Sequence, residues 1–290
     1  MRKLAILLAL LPLITAAQVR VASVAPQNDQ IKFRYDSTKN AMRFAEYYIG
    51  QDLFVIPTDD EKNVSTYYRF GRKVEMFRKS TRLEDAPSTE EVKGHTFHVV
   101  GRQDFMLGGR NETLCGILVM VDKETGDTIY YSHDISGDKL FPFIALGFKE
   151  KYERDNKDTK FVFRSYSLYD FETGEKIDAH KTTWTFKEII AMPDKMEPGY
   201  YLVNDAGVST AVTNMSDFIK EADIKSYTKK YGKAMVDEAL DGNIRKGMPT
   251  DLVKIAKGQP DKINSASYGQ QWVYKNMYIY IKDGKVTGWN

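Results

Sequence analysis

The stretch Phe161-Val162-Phe163-Arg164-Ser165-Tyr166-Ser167-Leu168-Tyr169, followed by Glu172-Thr173-Gly174-Glu175 and then Thr182-Thr183-Trp184-Thr185-Phe186, decides the fold class. Aromatic and β-branched residues dominate both apolar runs, as they do in strands packed on one face. Between the runs Gly174 can take a positive φ without steric cost, so the stretch predicts a hairpin. The same device lies upstream. Leu118-Val119-Met120-Val121 leads into Asp122-Lys123-Glu124-Thr125-Gly126-Asp127 and then Thr128-Ile129-Tyr130-Tyr131. Further strand candidates cover 31–35, 52–57, 65–70, 74–79, 95–101 and 200–203. So many short strands predict a meander, a sandwich or a partial barrel over 18–205. Met42, Ala45 and Ile49 recur at helical spacing, so 41–49 reads equally as a short helix.

After Asn204-Asp205-Ala206-Gly207 the texture changes. Residues 18–214 hold 27 basic and 31 acidic side chains, whereas 215–290 hold 13 and 9, which places a domain boundary near 205–214. Ser216-Asp217 reads as a helix start, and Ile224, Tyr227, Tyr231, Met235 and Ala239 follow as an apolar stripe that Gly242 stops. A second helix over 250–257 buries Leu252, Val253 and Ala256 and ends at Gly258 and Pro260. Strands at 271–274 and 278–282 lead through Asp283-Gly284 into Lys285-Val286-Thr287. The class is therefore α+β: a β-rich domain at 18–205 and a small two-helix, three-strand domain at 214–290.

The whole chain has 290 residues with 42 basic and 40 acidic side chains, 42% hydrophobic residues and a single cysteine. Those values exclude a disordered tail, a coiled-coil rod and a disulfide framework. Met1-Arg2-Lys3, the apolar run 4–14 and the small residues Thr15-Ala16-Ala17 form a secretory signal peptide over 1–17, too short an apolar run to span a bilayer. No cysteine follows the cleavage point, so no lipid anchor is expected. The product is expected in the periplasm or outside the cell and not membrane-spanning after cleavage. Its balanced charge argues against nucleic acid as a partner. Cys115 begins an apolar run without a basic neighbour and reads as a small core hydrophobe.

The order Gly247-Met248, Val253, Gly258-Gln259-Pro260, Trp272-Val273-Tyr274, Tyr278-Ile279-Tyr280-Ile281 and Asp283-Gly284-Lys285-Val286 resembles the SmpA/OmlA domain. That family includes BamE-like outer-membrane assembly lipoproteins, and its two-helix, three-strand fold is similar to one repeat of the β-lactamase inhibitor protein. The resemblance covers only the C-terminal quarter. Pro249 stands where the family places Ser or Thr, and the lipid-bearing cysteine is missing. It implies a protein-interaction module of the bacterial cell envelope with no catalytic residue and no cofactor.

The four histidines offer little constellation chemistry. His95 and His98 are three apart, so in a strand they face opposite ways and make no metal pair. His133-Asp134 has the form of a base with an orienting carboxylate, but no nucleophile elbow accompanies it. His180 reads as a solvated hairpin residue. Asp59-Asp60-Glu61 lacks the spacing of a calcium loop, and Gly108-Gly109-Arg110 opens no phosphate-binding helix. Asn63, Asn111 and Asn214 head N-x-S/T sequons, which matter only on a eukaryotic secretory route. The excess of 18 tyrosines and 15 phenylalanines points to recognition surfaces as well as core. The expected docking residues are Trp272, Tyr274, Tyr278 and Tyr280, with whichever pair meets the helices contributing core instead, Trp272 foremost. The expected partner is an envelope protein. A glycan or lipid on the N-terminal sheet is the alternative, and a hydrolase built on His133 or His98 the third reading.

Overall fold

In the computed structural model the described residues are 34–58, 69–77, 80–104, 115–134, 141–267 and 269–290. The expected leader, the strand residues 31–33 and 65–68, Asp59-Asp60-Glu61, Gly108-Gly109-Arg110, Asn63 and Asn111 lie outside them. The chain divides into two units, Met1–Arg34 and Tyr35–Asn290, and every element described below belongs to the second.

The aromatic and β-branched runs become strands: β1 (Asp52–Val55), β2 (Phe70–Gly71), β3 (Lys73–Phe77), β4 (Ser80–Glu84), β5 (Thr96–Asp104), β6 (Cys115–Asp122), β7 (Thr128–Asp134) and β8 (Phe143–Ala145). Among the described residues they form an antiparallel sheet in the order β2-β7-β6-β5-β1-β8 and a separate hairpin, β3-β4. Phe97 and Val99 point into the core, and the register of β5 shifts between Val99 and Gly101, so the extra residue, Val100, is 52% exposed. The ambiguous segment at 41–49 forms a 3-10 turn, Ala45–Tyr48, packed on β5 and β6. The Asn40 side chain covers the free edge of β8 by donating to the Phe143 carbonyl at 2.8 Å and accepting from the Ala145 N–H at 2.8 Å.

Helix α1 (Leu146–Asn156) follows, then β9 (Lys160–Phe163), β10 (Ser167–Tyr169), β11 (Lys176–Asp178), β12 (Thr183–Met192), β13 (Glu197–Asn204), β14 (Ser209–Val212) and β15 (Phe218–Lys220). The expected hairpin is two nested pairs. β9 pairs with β12, and β10 pairs with β11 around the 170–175 turn, where Gly174 has φ +72°. The larger sheet has the order β14-β13-β12-β9-β15. On β12, Trp184 and Phe186 are buried, a bulge lies between Phe186 and Glu188, and the shift of phase turns Ile189 inward as well. Beyond the reach of β9, helix α1 serves this edge. Glu153 accepts the Ile189 N–H at 2.8 Å, and Lys149 donates to the Ile189 carbonyl at 2.5 Å. Both sheets bury their apolar faces in one core, in which Phe97, Phe143, Trp184, Phe186 and Phe218 are all members.

The remaining elements are α2 (Glu221–Tyr231), α3 (Lys233–Leu240), α4 (Thr250–Lys257), β16 (Lys262–Ala266), β17 (Gly269–Tyr274), β18 (Met277–Lys282) and β19 (Lys285–Trp289). The expectation of two helices and three strands over 214–290 is corrected to three helices, a four-stranded sheet and the short strand β15, which joins the preceding sheet. Phe218–Lys220 extends into β15 instead of opening a helix, and it pairs with β9 through Phe218↔Phe163 and Ile219↔Val162. Gly232, at φ +85°, then divides the single expected helix into α2 and α3. All five residues of β16 are exposed, so no apolar period marked it in the sequence. Helix α4 starts after Pro249 with no side-chain cap, the Pro249 carbonyl accepting the Leu252 and Val253 N–H groups. A second core joins these elements: Val236, Leu240, Leu252, Val253, Trp272, Ile279 and Val286, with Val162 of β9 also included. The molecule is thus a mixed structure of several antiparallel sheets and a few helices, and among the described residues no helix is long and apolar enough to cross a membrane.

Candidate functional site

The four-stranded sheet runs β16-β17-β18-β19 and is antiparallel throughout. Its inner face carries Trp272, Ile279, Ile281 and Val286, all buried against α3 and α4. The Trp272 indole N–H donates to Gln270 Oε1 at 3.1 Å, and Lys254 Nζ lies 5.7 Å from the ring. Tyr274 shares this face and donates from its hydroxyl to the Gly258 carbonyl at 3.1 Å, at the end of α4. Burial pushes the Tyr274 phenol up to about 12, only partly opposed by Arg164. Trp272 and Tyr274 therefore hold the sheet to its helices, and of the four expected docking residues only Tyr278 and Tyr280 stand outside, 44% and 38% exposed.

Register places the outer residues in rows. Lys262, Val273 and Tyr278 form one, and Asn264, Gln271, Tyr280 and Gly288 the next. Beyond them lie the pairs Ala266–Gly269 and Lys282–Lys285. Asn264 Nδ2 donates to Gln271 Oε1 at 3.0 Å, a bond that leaves Asn264 Oδ1 and Gln271 Nε2 unused. Small residues at Ala266 and Gly269 leave a hollow of about 440 Å³ that Asn264, Gln271, Tyr280 and Thr287 also line. Thr287 enters it because the β18–β19 register shifts between Tyr280 and Ile281, making Thr287 the extra residue on β19. Sequence reasoning missed this hollow. Its signals were the small residues Ala266 and Gly269 at the β16–β17 turn, one row beyond Tyr280, which carry no periodicity of their own.

The two edges of this sheet differ. Residues 247–250 cover β19: the Gly247 N–H donates to the Val286 carbonyl at 2.7 Å, and the Val286 N–H donates to the Met248 carbonyl at 2.9 Å. Among the described residues β16 pairs with β17 alone.

The histidines sit apart from this face. His95 Nδ1 lies 2.8 Å from Asp122 Oδ2, and Asp122 Oδ1 accepts the Glu124 N–H at 2.8 Å, so this dyad braces the β6–β7 turn. His98 Nδ1 lies 2.7 Å from Asp52 Oδ1 across β5 and β1, with Lys123 2.8 Å from the other Asp52 oxygen. Burial works to raise the Asp52 pKa, but the hydrogen bonds from Lys123 and His98 outweigh it and hold the carboxyl below the usual range. His133 is buried, its Nε2 2.9 Å from the Met42 carbonyl and its ring edge-on to Tyr48. The expectation that His180 is solvated is corrected. Its Nε2 lies 2.9 Å from Asp241 Oδ1, its Nδ1 lies 3.1 Å from the Arg164 carbonyl, and its ring stacks on Tyr166. Among the described residues no cluster of three or more metal-ligating side chains forms.

Cys115 opens β6, and Asn214 folds its side chain onto Ser216, accepting its hydroxyl at 2.6 Å. The chain matches no protein-family model, no curated protein and no solved structure.

Proposed function

We propose that this chain is a non-catalytic, protein-binding component of the bacterial cell envelope, exported by the leader at 1–17 to the periplasm or beyond. It docks through the outer face of its C-terminal sheet. The observation that carries this reading is the pair Tyr278 and Tyr280, exposed on one face of β18 beside the hollow, while the opposite face of the same strand is buried. Exposed tyrosines on a rigid strand supply contact area at low entropic cost, which is the usual make-up of binding hot spots.

The order of Gly247, Gly258, Pro260, Trp272, Tyr274 and Asp283-Gly284 along α3, α4 and β17–β19 supports treating 214–290 as a module that resembles SmpA/OmlA domains, carried by a β-rich domain at 18–205. On that reading α2 and β16 are additions to the family's two helices and three strands. His133, one of the two histidines on which a hydrolase was expected, is buried with its Nε2 against the Met42 and Arg43 carbonyls, which supports a binding role over a hydrolytic one at that residue.

The test is crosslinking capture of partners from envelope extracts by the full chain and by its Tyr278→Ser/Tyr280→Ser variant. Loss of the captured proteins with an unchanged melting temperature is the expected result. Identical capture by both chains rejects the reading.

A second reading rests on Tyr166, Tyr169 and Phe171, which are 72%, 64% and 46% exposed near the β10–β11 hairpin and suit stacking on sugar rings. Glycan-array binding that Tyr166→Ala/Tyr169→Ala abolishes would favour it.

A further inference from the structure

Residues 242–290 hold eight basic and three acidic side chains, and the basic ones are not evenly spread. Lys262, Lys282 and Lys285 all belong to the outer face of the C-terminal sheet, all are exposed, and none makes an ion pair among the described residues. They occupy opposite corners. Lys262 lies on the open-edge strand β16 in the row of Tyr278, and Lys282 and Lys285 lie on β18 and β19 past the row of Tyr280. Between the corners run the Asn264–Gln271 amide pair, the Tyr280 ring and the hollow of about 440 Å³.

We propose that this face receives a short extended acidic segment of a partner protein, laid diagonally across the strands with a carboxylate at each lysine corner. Three inter-strand steps and four residues along the strand put the corners about 20 Å apart. Lysine stems shorten that distance, so carboxylates about four to six residues apart in an extended chain reach both corners. The free oxygen and nitrogen of the Asn264–Gln271 pair then face the middle of the segment and match one peptide unit, which offers one donor and one acceptor. Tyr280 and Tyr278 flank the path and pack on whatever side chains point down. Peptide backbone at the centre and charge at the ends favour an acidic protein segment over an anionic polysaccharide, whose charges recur at every unit and whose hydroxyls need no such pairing. The inference rests on the protein-binding reading and adds the chemistry of the partner.

The probe is a fluorescein-labelled eight-residue peptide of Ser and Thr with Glu at positions 1 and 7, measured against the full chain by anisotropy. Lys-for-Glu peptides and polygalacturonate serve as comparison ligands. The expected result is saturable binding of the Glu peptide that weakens with salt, with NMR shifts in the side-chain amides of Asn264 and Gln271. Lys262→Glu/Lys282→Glu/Lys285→Glu should weaken it at least tenfold. Lys187→Glu/Lys195→Glu/Lys229→Glu, which changes net charge equally elsewhere, should change it less than twofold. Equal loss in both triples, equal affinity for the Lys peptide, or binding of polygalacturonate alone overturns the proposal. Its failure is distinguishable from failure of the parent reading: if Tyr278→Ser/Tyr280→Ser abolishes envelope capture and the lysine reversal leaves it intact, protein binding stands and the acidic segment falls.

Discussion

Arg164 is the residue whose chemistry is hardest to replace. Its side chain is 16% exposed, its Nε donates to Asp217 Oδ1 at 2.9 Å, and its Nη1 donates to the Ile255 carbonyl at 2.6 Å near the end of α4. A planar fork meets a carboxylate and a helix C-terminal carbonyl together, whereas a lysine ammonium has no matching geometry. Arg164→Lys is therefore expected to lower unfolding stability by about 1–3 kcal/mol, read as a shift in urea midpoint at constant m-value. Asp122 supplies a pH test at the same scale. Burial pushes its pKa up, but the hydrogen bond with His95 and those from the Glu124 and Thr125 N–H groups outweigh it and hold the carboxyl below the usual range. A depressed folded-state pKa gives stability that is fully present above the ordinary carboxylate range and is lost as pH falls through the folded value. Below about pH 4 the wild type should lose stability more steeply than Asp122→Asn, which keeps the turn acceptor but never titrates. Parallel stability curves for the two proteins would remove this account of the His95 dyad.

Among the elements, the β16–β17 hairpin depends on a close approach that no side chain could share. A methyl group added at Gly269 would collide with the Ile281 carbonyl oxygen, and the backbone there is already at φ +141°. Gly174 makes a control, since it also has positive φ but an added methyl meets nothing within 4 Å. Gly174→Ala should cost about 1 kcal/mol from backbone strain alone, and Gly269→Ala about twice that or more, in thermal melts of the full chain. Equal costs would show that the sheet relaxes around the added group. Much of this architecture was legible in the sequence. The strand centres at 118–121, 128–131, 182–186 and 200–203 announced themselves by their aromatic and β-branched runs, though not the extension of β12 to Met192, and α4 by its Leu252, Val253 and Ala256 face. What was not legible had no period to read. β16 is exposed along its whole length, β15 has only three residues, and the bulges at Val100 and Thr287 each break an alternation that would otherwise mark the strand. The candidate site divided in the same way. Parity put Tyr278 and Tyr280 on one face, but the hollow beside them is lined by Ala266 and Gly269 of the β16–β17 hairpin and by Tyr280 and Thr287 of the strands beyond, which only register brings together.

At the scale of the whole molecule, the change of texture at 205–214 does not coincide with the end of the sheet it follows. β14 runs to Val212, and after five residues the chain returns as β15 to the free side of β9, where the Phe218 ring lies 4.8 Å from that of Phe163 inside the larger core. The other side of this strand pair, Val162 and Ile219, packs on the second core. The short strand β15 is therefore shared by both cores, and a chain cut before it loses a buried phenylalanine and bares an apolar edge. Burying a phenylalanine contributes about 2–3 kcal/mol, and the pairing of β9 adds to it. A truncation ending at Lys220 should accordingly melt several degrees above one ending at Thr213 and elute as a narrower, less aggregated peak in size-exclusion chromatography. If the two truncations melt together, β15 belongs energetically to the helices that follow it, and the sheet closes without it.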